Sequence, residues 1–372
     1  MSSPQVWLRR ISARDFRNFE RLDLELPRSG LAIIGENGQG KTNLLESVYY
    51  LQVLRSVRGA RDQDLVRFGA KGFHISASCD SDSAHEIAVG FEWHGKKKRV
   101  SIDGGVTSRL SEAFGALPSV MFSPRDIQLI AGSPGERRRF LDLLLALSSR
   151  KYLSALQHYR AALSRRNAAL REAARTGDDA AAAVWEPQLA EHGAMLVCSR
   201  QEWVRERSTE FSRITSAIGE SADAAIAYTS SAAKDSDVRG GLEQALSRQR
   251  KHDIRRGMTH AGPHRDDLAM TLDGRDMRLF GSAGQQRTAA IALRMLESET
   301  IREARGLAPV LLLDDPFAEL DVNRSARILE LLRGSGMGQT ILVVPRATDI
   351  PSELTGLERR GIRDGVIEGV MA

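Results

Sequence analysis

The chain has 372 residues, 42% hydrophobic and 27% charged, with a formal net charge of +5. Such a composition suits a globular protein with two or three cored domains. It contains no run of about 18 apolar residues to span a membrane, and MSSPQVWLRR lacks the apolar stretch of a signal peptide. Cys79 and Cys198 have no metal-ligand spacing, which suits a reducing cytosol and argues against zinc; both read as small buried hydrophobes.

Residues 5–26 read as two strands, VWLRRISARDF and RLDLELP, with alternating apolar positions and Asn18 near their turn. The run Leu31-Ala32-Ile33-Ile34 then reads as a short buried strand. A glycine-rich turn follows it, Gly35-Glu36-Asn37-Gly38-Gln39-Gly40-Lys41-Thr42, and a helix opens through Asn43-Leu44-Leu45-Glu46-Ser47-Val48. Strand, glycine loop and helix in that order form a phosphate-binding P-loop. Gly35, Gly38 and Gly40 let backbone N–H groups turn inward where side chains would clash. The helix N-terminus near Lys41 favours the same anion. Lys41 should reach the β- and γ-phosphates, and Thr42 should offer its hydroxyl to Mg²⁺.

Arg55, Arg58, Arg61 and Arg67 cluster after this helix, Lys96-Lys97-Lys98-Arg99 form a second basic block, and Arg137-Arg138-Arg139 a third. Each reads equally as a polyanion surface or as a set of salt bridges. Residues 73–79, 86–93 and 98–102 continue the β pattern, with a turn at Asp103-Gly104-Gly105. Leu117–Ser123 reads as another core strand.

A long helix should start near Glu136, after the break at Pro134-Gly135. Helical spacing runs on to about Arg213, with one soft break at Thr176-Gly177-Asp178-Asp179. Two antiparallel helices forming an arm fit this, as does a plain helical bundle. Sustained heptads are absent, which argues against a long coiled coil. Residues 224–230 read as a strand, residues 240–256 as a basic helix, and THAGPHRDDLAMTLDG as a turn, a strand and a hairpin turn. His264 in that stretch reads as a structural hydrogen-bonding group.

Ser282 and Gly284 precede a helix expected from about Gln285, a second anion-binding helix terminus. The apolar strand Pro309–Asp315 ends in two carboxylates, as a strand delivering a Mg²⁺ ligand beside a P-loop should. Asp314 is the expected metal carboxylate, and Asp315 could polarise an attacking water. Glu319-Leu320-Asp321 and a helix follow, then a core strand at 339–344 and a terminal hairpin in GIRDGVIEGV.

GENGQGKTN, SAGQQ opening a helix, LLLDD and ELD together resemble the ABC/SMC class of ATPases. Within it, SVRGARDQDLVRFG, FSPRDIQLIAGSPGERRRFLD, THAGPHRDDL and LLLDDPFAELDVNR resemble the RecF family of bacterial recombinational-repair proteins, from about residue 14 to 324. The resemblance implies an α/β ABC/SMC-type P-loop head with a mixed β-sheet and an inserted helical arm. It divides the chain at 1–135, 136–255 and 256–372.

It also implies that ATP, with Mg²⁺, is sandwiched in a homodimer. Gly35, Glu36, Asn37, Gly38, Gln39, Gly40, Lys41, Thr42 and Asn43 of one copy would hold the nucleotide. Ser282, Gly284 and Gln285 of the other would close over it. Thr42 and Asp314 match the metal ligands; Lys41, Asp314 and Asp315 match the catalytic set; Asp321 matches the loop that crosses the interface. The implied activity is ATP-dependent binding of gapped or single-strand/double-strand junction DNA, with slow hydrolysis. The implied partners are RecO and RecR, which help place RecA, in the cytoplasm and away from membranes. A transporter nucleotide subunit or another SMC-like ATPase is the alternative.

Three departures from the class stand out. Arg125 follows Pro124 where relatives carry an acid, near the γ-phosphate sensor position Gln128. Pro345-Arg346-Ala347-Thr348 replaces the transporter His switch, leaving Arg346 or Thr348 to face the γ-phosphate. Asp315 is one methylene shorter than the Glu of fast relatives, which favours a timer over a motor.

Overall fold

Residues 30–34 form the strand Gly30–Ile34, whose Leu31, Ala32 and Ile33 are fully buried. A strand covered on both faces needs such an uninterrupted apolar run. The computed structural model describes residues 4–82, 84–230, 237–318, 320–354 and 356–370. Gly30–Ile34 lies inside a six-stranded sheet in the order Val366–Val370, Glu358–Arg363, Gly30–Ile34, Thr340–Val344, Val310–Asp314, Ser119–Phe122. Five of these strands run parallel, and the terminal Val366–Val370 pairs antiparallel at the edge. The sheet is therefore mixed, as expected.

The second sheet is antiparallel throughout: Phe19–Glu25, Trp7–Phe16, Gly72–Asp80, Glu86–Glu92, Lys97–Ile102, Gly105–Val106. Its strands alternate cleanly. Ile75, Ala77 and Cys79 point inward, as do Ile87, Val89 and Phe91, while their neighbours face solvent. The helix Lys41–Val53 touches strands of both sheets and is buried on nearly all sides, so its apolar residues form no single stripe. Tyr50 meets Phe16 and Phe73 edge-on at 6.3 and 5.6 Å, tying the helix to the antiparallel sheet.

All of these elements fall in one unit, Met1–Asp126 with Leu293–Ala372; Ile127–Ala292 forms the other. The second unit carries the helices Pro134–Ser148, Arg150–Thr176, Glu186–Ile218 and Val238–Arg256. It also holds a three-stranded sheet in the order Arg275–Asp276, Asp267–Leu272, Ala224–Thr229. The helical stretch breaks three times, not once: at Ser149, after Thr176, and at Val184-Trp185, where the short helix Ala180–Ala183 ends. Gly177 ends one helix in the left-handed conformation, as its sequence suggests. At Ser149 the backbone leaves the helix and the hydroxyl accepts the N–H of Tyr152 to start the next one. Neither Gly nor Pro marks that site.

Cys79 is buried, but Cys198 is exposed, contrary to its reading as a buried hydrophobe. On the helix Glu186–Ile218 the inward residues are Leu189, Ala190, Gly193, Leu196, Val197 and Arg200. Position 198 falls on the opposite side. Among the described residues, no helix is long and apolar enough to cross a membrane.

Candidate nucleotide site

The glycine loop follows the strand Gly30–Ile34 at its carboxyl end. Gly40 caps the helix Lys41–Val53 in a left-handed conformation (φ 113°), and no side chain occupies the cap. The first-turn N–H groups are left for an anion. A Cβ on Gly40 would come within 2.6 Å of the Asn18 amide, and one on Gly35 within 2.5 Å of the Ile362 carbonyl. Both positions therefore demand glycine for close approach, and Gly40 also for its left-handed turn.

The loop is held from below. Asn18, at the turn between the first two strands, donates to the Gln39 carbonyl at 3.1 Å and accepts from the Asn43 amide at 2.8 Å. The Asn43 oxygen takes a further bond from Arg58 at 3.1 Å. The terminal hairpin adds bonds from the N–H groups of Asp364 and Gly365 to the side chain and carbonyl of Gln39. The side chains of Gln39 and Asn43 thus brace the loop.

Lys41 folds back onto the carbonyls of Gly35 and Glu36, the latter at 2.8 Å. Burial lowers its pKa, opposed by the nearby charges of Asp314 and Asp315. The Thr42 hydroxyl donates to Asp314 at 3.0 Å. Asp314 closes the strand Val310–Asp314, one strand removed from the P-loop strand through the register Asp314↔Val343 and Val343↔Ile33. Burial raises the Asp314 carboxyl, partly offset by the Thr42 hydrogen bond and by the charge of Arg58. Asp315 follows at φ 45° and donates its N–H to Val343 at 3.0 Å.

These groups line one cavity of about 360 Å³, bounded by Asn37, Gly38, Gly40, Lys41, Thr42, Asn43, Arg58, Asp314 and Asp315. It opens at the carboxyl ends of the parallel strands, where open α/β sheets bind ligands. Sequence reasoning missed Asn18 as a brace. Arg58 appeared there only as one of a basic cluster. The signal for Asn18 was its place in the two-residue turn between the two strands that precede the P-loop strand.

Ser282, Gly284 and Gln285 lie in the second unit, at the start of the helix Ala283–Arg305. Ser282 accepts the Gln285 N–H at 3.3 Å, and Gln285 accepts the Ser282 N–H at 2.9 Å. This is a capping box with Gln at the third position. Gln285 also donates to Glu220 at 3.3 Å. Gln128 is exposed in the same unit. Asp321 caps the helix Val322–Gly334 through the Arg324 N–H at 2.9 Å; Glu319 of the ELD motif lies outside the described residues. Arg346 is exposed and bonds Asp349 at 3.2 Å, within its own turn.

Several of the basic candidates are ion-paired. Arg67 holds Asp15, Lys98 holds Asp62 and Arg137 holds Asp267, each at 2.7 Å. Arg58 stands 3.7 Å from the buried Glu46.

The chain matches the family model for the RecF/RecN/SMC N terminal domain over residues 7–352. The DNA replication and repair protein RecF of Symbiobacterium thermophilum is 37% identical over 338 residues, 88% of this chain and 89% of the relative. This chain belongs to the RecF family. The RecF protein of Lachnospira eligens is 35% identical over 321 residues, 84% of this chain and 86% of the relative. A solved structure of the recombination mediator protein RecF with ATP, from the RecFOR pathway, superposes with a TM-score of 0.90 at 30% identity. That match covers 100% of this chain and 99% of the other. An Smc head domain from Pyrococcus furiosus, 16% identical with a TM-score of 0.57, shares the fold. The ABC/SMC-type head expected of the RecF family is the fold this chain adopts.

Proposed function

We propose that this chain is an ATP-gated DNA-binding protein of recombinational repair, with slow ATP hydrolysis as its release step. The observation that carries the reading is the Thr42 hydroxyl on Asp314, with Lys41 and the glycine loop around one cavity. The RecF-family relationship supplies the DNA context.

The triphosphate lies along the loop N–H groups, with Lys41 leaving its carbonyl partners for the β- and γ-phosphates. The donor set fits Mg²⁺: a hydroxyl and a carboxylate, both hard oxygens, already in register, with room left for phosphate oxygens and water. When bound by Thr42 and Asp314, Mg²⁺ supplies charge neutralisation at the β- and γ-phosphates. Asp315 orients the attacking water. Its short side chain and constrained backbone give it less reach than a Glu, which suits slow turnover.

Ser282, Gly284 and Gln285 of a second copy close over the γ-phosphate, so ATP stabilises a homodimer and hydrolysis loosens it. The ATP dimer binds gapped or junction DNA, largely through phosphates. It acts in the cytoplasm with RecO and RecR toward placing RecA. Residues 136–255 serve as the helical arm of this assembly.

The test is equilibrium binding to a gapped duplex, with and without ATP and Mg²⁺, at two salt concentrations. The proposal expects binding only with nucleotide, weakening with salt. ATP turnover without DNA binding in any state would overturn it.

A further inference from the structure

The solvent face of the antiparallel sheet carries a row of cations at right angles to its strands. Arg21 stands directly opposite Arg14, Arg14 opposite His74, His74 opposite Gly90, and Gly90 opposite Arg99. Arg14, Arg21, His74 and Arg99 are all exposed, and none makes an ion pair or hydrogen bond among the described residues. Like charges facing one another across a strand pair are destabilising, by a few tenths to 1 kcal/mol in the usual case. Here Arg14 faces another arginine and a histidine with no carboxylate between them. Elsewhere on the sheet arginines are neutralised: Arg10 by Asp23 and Arg9 by Asp80.

The next row inward is small and hydroxylated. Ser12 faces Ser76, their hydroxyls 2.8 Å apart, and Ala88 faces Ser101. Arg14, Arg21, His74, Ser12 and Ser76 line a concavity of about 660 Å³; of its two carboxylates, Asp23 stands opposite Ser12 in the second row and is paired with Arg10, and Glu86 lies at the far end of its own strand. Four strand spacings of about 4.8 Å give the row a length of about 19 Å. Along the axis of B-form DNA that length spans on the order of five base-pair steps, and along one backbone about three to four phosphates.

Resting on the function proposed above, we infer that Arg21, Arg14, His74 and Arg99 form a track for a DNA phosphate backbone running across the sheet strands. Arg14 and Arg21 belong to the hairpin whose turn residue Asn18 braces the P-loop, and Arg17 beside it holds Glu46 of the P-loop helix at 2.9 Å. The track and the P-loop brace therefore share one hairpin.

The experiment measures affinity for a gapped duplex against salt, in the ATP state, for the wild type, an Arg14→Ala/Arg21→Ala/Arg99→Ala triple variant and Gly90→Lys. Losing three phosphate contacts should weaken binding roughly 100-fold near 0.15 M salt and flatten the log–log slope by about 2.7. ATP-dependent dimerisation should persist. Gly90→Lys fills the gap in the row; its Cβ would meet only His74, at an ordinary 3.8 Å. It should tighten binding and steepen the slope by about 0.9, a gain that misfolding cannot mimic. Unchanged affinity and slope in both variants would overturn the track and leave the ATP-gated reading standing. A wild type that binds no DNA in any nucleotide state would overturn both.

Discussion

The Thr42 hydroxyl donates to the Asp314 carboxylate at 3.0 Å, across 272 residues of chain. One partner opens a helix and the other closes a strand. Burial raises the Asp314 carboxyl, so its charge is held at a cost until a cation arrives. Asp314→Asn should therefore leave the nucleotide-free protein at least as heat-stable as the wild type. The same change should cut Mg²⁺-dependent ATP turnover by about 100-fold or more. Thermal melts without nucleotide and a phosphate-release assay measure the two effects. A destabilised variant with normal turnover would reverse the assignment.

Asp315 sits at φ 45°, a conformation that Asn and Asp tolerate better than other side chains. Asp315→Asn should keep this geometry while removing the carboxylate. The expected result is a dimer that forms with ATP and persists, because hydrolysis no longer dissolves it. Size-exclusion chromatography over hours, alongside turnover, reads this directly. Unchanged turnover removes Asp315 from the chemistry.

Asn18 makes both of its amide bonds to the P-loop segment, to the Gln39 carbonyl and from the Asn43 side chain. Asn18→Ala should free the loop at a cost of about 1–2 kcal/mol. Since only the braced loop presents its N–H groups inward, ATP affinity should fall about tenfold. Calorimetric titration with ATP is the measurement. An unchanged Kd would mean the loop holds its shape without this brace.

The parts of this site visible in the sequence were those with a local pattern. An apolar run, a glycine loop and a helix announce the P-loop, and an apolar run ending in Asp announces its partner strand. Parallel pairing in one sheet then brings Thr42 and Asp314 together. Asn18, the Gln39–Asp364 contact and the Arg14–Arg21 opposition depend on the register of segments distant in sequence, which no local period encodes. The helix break at Ser149 was hidden because Ser is neutral within helices and informative only at caps. The exposure of Cys198 was legible but lost, because the residue was judged by type and not by its face of the helix.

His264 offers a pH-dependent test in the second unit. The Thr259 carbonyl can only accept, so His264 Nε2, 3.0 Å away, carries the proton. Nδ1 therefore accepts from the Tyr159 hydroxyl at 2.6 Å. Protonating Nδ1 would break that pairing in a partly buried site. Burial, joined by the facing charges of Arg265 and Arg138, pushes the pKa down to about 4; the hydrogen bond to the Thr259 carbonyl and, more weakly, the charge of Asp253 act in the opposite direction. The unfolded chain takes up this proton near pH 6.5 and the folded one only near pH 4, so stability is lost as pH falls between those values. The contribution reaches up to about 3 kcal/mol. His264→Gln should be less stable at neutral pH but show a flatter stability profile from pH 6.5 to 4. Parallel profiles for variant and wild type would rule out a neutral, partly buried His264.

Ser282 separates the two halves of the proposed sandwich. Its hydroxyl caps the helix Ala283–Arg305, so a bulky substitution there would confound lost capping with lost dimerisation. Asp caps helices as well as Ser does, yet brings a negative charge to a position proposed to face the partner's γ-phosphate. Ser282→Asp should therefore fold normally and bind ATP as a monomer with unaltered affinity. Light scattering should show no ATP-induced dimer, and turnover should fall to the level of the isolated monomer. If Ser282→Asp dimerises with ATP as the wild type does, the γ-phosphate does not approach Ser282, and the proposed closure across two copies fails.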